Sequence, residues 1–156
     1  ALIEKAKQLK LTLEVQVYGR MPLALSARCY HARAHGLNKD SCQYVCDQDP
    51  DGMPLRTLDG QPFLVINGIQ TLSYTCLNLV REMDSLAQLG IDAFRISPHS
   101  SGTVEAARIF HCCLGGEMAA DEALIRFREG GFDAPFSNGF YHGVEGHHWR
   151  SAATTV

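Results

Sequence analysis

Ala1-Leu-Ile-Glu-Lys-Ala-Lys-Gln-Leu-Lys10, continued by Leu11-Thr-Leu-Glu-Val-Gln-Val-Tyr-Gly19, is the stretch that decides the fold class. In its first half Leu2, Ile3, Ala6 and Leu9 recur at helical spacing and make one apolar stripe. In its second half Leu13, Val15 and Val17 alternate with Glu14, Gln16 and Tyr18. That period of two is a strand with one buried face, closed by Gly19. A helix followed at once by a strand opens an α/β alternation.

The alternation returns further along. Leu79, Val80, Met83, Leu86 and Ala87 share a helical face, and Gly90 is placed to stop it. Residues 91–96 read as a strand. Ser101 is placed to cap a helix whose face is Val104, Ala107, Phe110 and Leu114, ended by Gly115-Gly116. A last short helix covers residues 120–129. Between the two halves, residues 54–58 and 61–66 flank Asp59-Gly60, a pair suited to the positive φ of a hairpin turn. Pro62 lacks an N–H for the ladder and is expected at an edge. Residues 20–54 read as a long loop broken by a short helix near 27–34, and a loop of that length in a compact domain is usually functional. An eight-stranded barrel takes roughly 200–250 residues, so the strand–helix units here are too few to close one. The expectation is one α/β domain over residues 1–150 and a small polar tail, 151–156. Because the chain opens on Ala1 inside a helical pattern, it also reads as a segment of a longer protein.

The 156 residues are 46% hydrophobic and 20% charged, an ordinary globular mixture. A net charge of −3 gives no broad basic field, so no nucleic-acid partner is expected. No run approaches the ~18 apolar residues of a membrane span. No leader pattern stands at the start, and a cytoplasmic protein is expected.

Six cysteines are present: Cys29, Cys42, Cys46, Cys76, Cys112 and Cys113. Without an export signal, and with Cys112 and Cys113 adjacent, a disulfide framework is disfavoured. Cys76, Cys112 and Cys113 fall at or within predicted helices, where cysteine usually serves as a small buried apolar residue. The close trio follows the pattern Cys-x12-Cys-x3-Cys in the loop. Three thiolates from one excursion of chain suit an iron–sulfur cluster, which normally takes four. Zinc is the rival, with Cys29, Cys42, Cys46 and either His31 or His35 as a Cys3His set, although x12 and x3 match no common zinc-finger spacing. A site with no metal is the third possibility. Arg28, Arg33 and Lys39 are near enough in sequence to favour ionised thiolates, or are simply solvated charges.

Gly19-Arg-Met-Pro-Leu-Ala-Leu-Ser-Ala-Arg-Cys29 through Ser41-Cys42-Gln-Tyr-Val-Cys46 resembles the UbiV branch of the collagenase-like peptidase family of unknown catalytic type. Pro54-Leu-Arg-Thr-Leu-Asp-Gly-Gln-Pro-Phe-Leu64, Asn67-Gly-Ile-Gln-Thr-Leu-Ser73 and Asn138-Gly-Phe-Tyr-His-Gly143 agree with it. The resemblance implies a barrel-like (TIM-type) α/β fold, of which this chain is the C-terminal part. It implies a 4Fe–4S cluster held by Cys29, Cys42 and Cys46, with a fourth cysteine in an N-terminal half that the chain lacks. It further implies a UbiU-type partner in a heterodimer, a lipid-binding accessory protein of the quinone pathway as a further partner, and a role in oxygen-independent hydroxylation in bacterial ubiquinone biosynthesis. Whether the chain is itself an enzyme stays open. A zinc-stapled interaction module and a true peptidase are the alternatives, although no Gly-x-Ser-x-Gly or His-Glu-x-x-His motif is present.

Three further places are singled out. His142, His147 and His148 lie in a Gly-rich segment expected to be flexible or docked on a partner. Asn67-Gly-Ile-Gln-Thr reads as a strand-to-helix turn with Gly68 in a strained dihedral, or as polar groups offered to a substrate. His99, after Pro98, stands beyond a strand end where barrel sites collect ligands.

Overall fold

The computed structural model describes residues 2–130 and 134–151. Its elements are α1 (Leu2–Gln8), β1 (Glu14–Leu25), α2 (Tyr30–Ala34), β2 (Met53–Arg56), β3 (Pro62–Asn67), β4 (Gln70–Asn78), α3 (Met83–Leu89), β5 (Ala93–Ile96), α4 (Thr103–Leu114), α5 (Ala120–Glu129) and β6 (Phe136–Ser137). The fold is mixed α/β. Six strands run in the order β2-β3-β4-β1-β5 with β6 beside β4, and the sheet is not closed into a barrel. The expected tail beyond Ser151 lies outside the described residues. None of the described helices is long and apolar enough to cross a membrane.

The chain divides into two compact units, Ala1–Gly19 with Leu77–Val156, and Arg20–Cys76. In the first, β1 pairs in parallel with β5, Glu14 opposite Ala93 and Val15 opposite Phe94. α3, α4 and α5 bury Met83, Leu86, Ala106, Ile109, Phe110, Ala123, Leu124 and Phe127. Tyr18, expected on the polar face of β1, is only 1% exposed. Its ring stacks on Phe127 at 5.3 Å and meets Phe110 edge-on at 5.8 Å, so side chains of α5 and α4 cover it. The face expected for α4 is rotated: Phe110 is buried, but Val104 and Leu114 are exposed and Ala106 and Ile109 take the core. Gly102, rather than Ser101, is the N-cap, and the Thr103 hydroxyl holds the turn by accepting from His99 N–H and donating to His99 O, both at 2.9 Å. α3 stops at Gly90 in the left-handed conformation, as its sequence predicts.

In the second unit β1 continues to Leu25, so the expected loop begins later than residue 20. β2, β3 and β4 form an antiparallel meander, with Leu55 opposite Leu64 and Leu64 opposite Ser73. The Asp59-Gly60 hairpin is present. Its turn spans Thr57 to Gly60, closed by Gly60 N–H to Thr57 O (2.9 Å), with Gly60 at φ 82°. Pro62 is not on an edge strand, since β3 lies between β2 and β4; it is tolerated because it opens the strand. Asn67-Gly-Ile-Gln70 is a second hairpin turn and not a strand-to-helix turn: Asn67 pairs with Gln70, and Gly68 (φ 60°) occupies the position where a two-residue turn favours glycine. Cys76 therefore sits on strand β4, 1% exposed, and not on a helix.

Candidate metal centre

The segment between β1 and β2 is built of short turns. Cys29 is the N-cap of α2, and its Sγ accepts the Ala32 N–H at 3.4 Å. Cys42 ends the 3-10 turn Lys39–Ser41, and Cys46 lies in a second one, Val45–Gln48. Between those two thiols Gln43 (φ 51°) and Tyr44 (φ 53°) are both left-handed. That conformation costs a non-glycine residue about 1–2 kcal/mol, and backbone strain of this kind gathers at functional sites. α2 packs against the Val45–Gln48 turn and against β3. Cys29 is buried at 9% exposure, whereas Cys42 and Cys46 are half-buried, and all six cysteines are free thiols.

Beside Cys29 opens a cavity of about 440 Å³ lined also by Arg28, Arg33, Lys39 and Asp40; Cys42 and Cys46 are not among its lining residues. Three cations against one carboxylate leave its wall net positive. The three thiols do not form a group with all sulfurs within 4.8 Å of one another. One tetrahedral zinc, with Zn–S near 2.3 Å, would draw its sulfurs to about 3.8 Å. A cubane shares its thiolates among separate irons and makes no such demand. Among the described residues the structure as it stands does not bring Cys29, Cys42 and Cys46 into one ligand group.

Sequence reasoning weighed His31 and His35 only as a fourth zinc ligand beside the thiols. Among the described residues, His31, His35 and Asp49 are the group whose ligand atoms all lie within 4.8 Å. His31 is fully buried, its Nε2 is 2.9 Å from Asp49 Oδ2, and its ring lies nearly parallel to that of His35 at 5.6 Å. The signal was legible as His-x3-His, two imidazoles one helical turn apart. Asp49 carried none, because only the folded turn brings it there.

The model of peptidase family U32 matches residues 2–150. The chain belongs to peptidase family U32. No solved structure matches it.

In this U32 chain the remaining singled-out residues take structural places. His99 packs its ring 6.2 Å from that of Tyr18. The Gly-rich C-terminal segment, expected to be flexible or docked on a partner, is anchored through Glu82 and Asn138, two residues to which sequence reasoning gave no role. Asn138 is fully buried; its amide donates to Glu82 Oε1 (2.9 Å) and to Arg150 O (3.0 Å), and its carbonyl accepts Arg150 N–H (2.7 Å). His142 Nε2 reaches the same Glu82 oxygen at 2.8 Å. His148 pairs with Glu145 at 3.2 Å, and its ring lies against that of His147. Asn67 donates to Pro50 O (3.3 Å), so its amide braces the turn before β2.

Proposed function

We propose that this U32 chain holds a 4Fe–4S cluster on Cys29, Cys42 and Cys46 and acts, in the cytoplasm, as the UbiV-type component of oxygen-independent hydroxylation in bacterial ubiquinone biosynthesis. A UbiU-type protein is its partner, and a lipid-binding accessory protein of the quinone pathway is a further one. The observation that carries the reading is the Cys29 thiol at the wall of a cavity that also presents Arg28, Arg33 and Lys39. Those cations offset part of the negative charge of a thiolate-ligated cluster. The strained Gln43-Tyr44 step turns the chain between Cys42 and Cys46. A bound cluster supplies one-electron transfer at thiolate-held iron. The fourth ligand is a donor other than these three cysteines.

The peptidase reading rests on the description of the family. It requires a nucleophile, and Cys29 is the candidate; its sulfur here accepts a backbone N–H, as a helix cap does.

Anaerobic reconstitution with iron, sulfide and an excess small thiol (standing in for the fourth ligand) tests the proposal. Brown protein with iron and acid-labile sulfide in equal amounts is expected, lost on changing Cys29, Cys42 and Cys46 to Ala. Colourless protein that takes up stoichiometric zinc instead would make this a zinc-stapled interaction module. Proteolysis that survives the triple change would put a peptidase site elsewhere, and failure to take up iron would overturn the cluster.

A further inference from the structure

We infer that His31, His35 and Asp49 form a second, mononuclear site for a divalent first-row transition ion, zinc or ferrous iron, separate from the cysteines and with coordination positions left open. Three observations meet there. The ligand atoms of the three residues already lie within 4.8 Å of one another. Metal–nitrogen and metal–oxygen bonds of about 2.0–2.2 Å place ligand atoms a little over 3 Å apart, so closing on an ion needs only small side-chain adjustments. His31 has no exposed surface, and its Nε2 already faces Asp49 Oδ2 at 2.9 Å, so two of the three ligands are held together inside the fold.

The third observation separates the two sites. Residues two apart on a helix point roughly 200° from each other, whereas residues four apart share a face. Cys29 and Arg33 thus occupy one face of the α2 turn and border the cationic cavity, while His31 and His35 occupy the other and look to Asp49. Two imidazoles and one carboxylate are three protein ligands. That donor set holds ferrous iron or zinc with room for water or a substrate oxygen, in contrast to the four closed ligands of a structural site. His35 is exposed, so an ion and a small ligand have a path in.

The probe is Co2+ added to the metal-stripped chain under anaerobic conditions, read by visible absorption and thermal melting, with Zn2+ and Fe2+ as competitors. One ion per chain is expected, with visible bands but no near-ultraviolet thiolate charge-transfer band, and a raised melting temperature. His35→Ala and Asp49→Asn should each weaken binding at least about tenfold. The Cys29→Ser, Cys42→Ser, Cys46→Ser chain should bind as the parent does. If that triple variant does not fold, His35→Ala in the parent decides alone, since an exposed residue can be changed without touching the core. Equal binding by His35→Ala and Asp49→Asn, which would mean adventitious surface binding, or a thiolate band growing in step with uptake, overturns the site. Failure of the cluster is read separately, in iron and sulfide.

Discussion

At the scale of single residues, the six cysteines fall into three settings. Cys76 is buried on β4, and Cys29, Cys42 and Cys46 lie at helix caps and in short turns. Cys112 and Cys113 lie on α4, and burial pushes both thiols above the usual thiol range; a hydrogen bond to Glu117 adds to the effect at Cys112. A raised pKa means less thiolate at any given pH. Alkylation of Cys112 and Cys113 by iodoacetamide, followed by peptide mass spectrometry, should therefore reach its half-maximal rate above the ordinary value of about 8.5. The folded state holds these protons more tightly than the unfolded chain does. The corresponding stability is present below the ordinary thiol pKa and is lost as pH rises through the higher, folded value. A half-maximal rate below 8.5 at either position, taken from the same experiment, would contradict the burial argument.

At the scale of elements, the join between β1 and the strand end at Ser97 depends on Gly19. Its φ is 100°, and a Cβ there would stand 2.5 Å from the Ser97 carbonyl oxygen and 2.7 Å from the Ser97 Cβ. Ser97 N–H in turn donates to Tyr18 O at 2.9 Å, so the backbone cannot step aside without losing that bond. Gly19→Ala combines a left-handed penalty with an overpacked contact, and a loss of about 2–4 kcal/mol is expected in urea denaturation. A loss below 1 kcal/mol would mean the strand end relaxes freely. The sequence reading took Gly19 as the end of a strand, and the structure places it inside one that runs on to Leu25. β4 was missed although Leu72, Tyr74 and Cys76 alternate with Thr71, Ser73 and Thr75, a period of two that was available to be read. α5 was read to its observed bounds, because its stripe is amphipathic and Gly130 ends it. The face of α4 was not, since apolar residues occur around most of that helix and only its neighbours choose among them.

At the scale of the molecule, each compact unit has its own buried centre. In the first it is the ring cluster of Tyr18, Phe110 and Phe127, with Phe127 fully buried. Phe127→Ala removes a ring that has no solvent-facing alternative, and about 3–5 kcal/mol of stability should go with it, read as a fall in the denaturation midpoint. A change under 1 kcal/mol would show that the cluster repacks. In the second unit, Val65 and Ile66 of β3 and Ala32 of α2 are buried, and His31 is buried with them. Local periodicity and turn chemistry settled the α/β class, the hairpin at Asp59-Gly60 and the helices after Asn78, because those signals lie within a few residues of one another. Only the tertiary structure decided that Tyr18 is core, that the sheet stays open, that Asn138 and Glu82 anchor the C-terminal segment, and that Asp49 meets His31. Each of these joins residues far apart in the chain, and burial and hydrogen-bond partners at that range are set by packing, which no local pattern encodes.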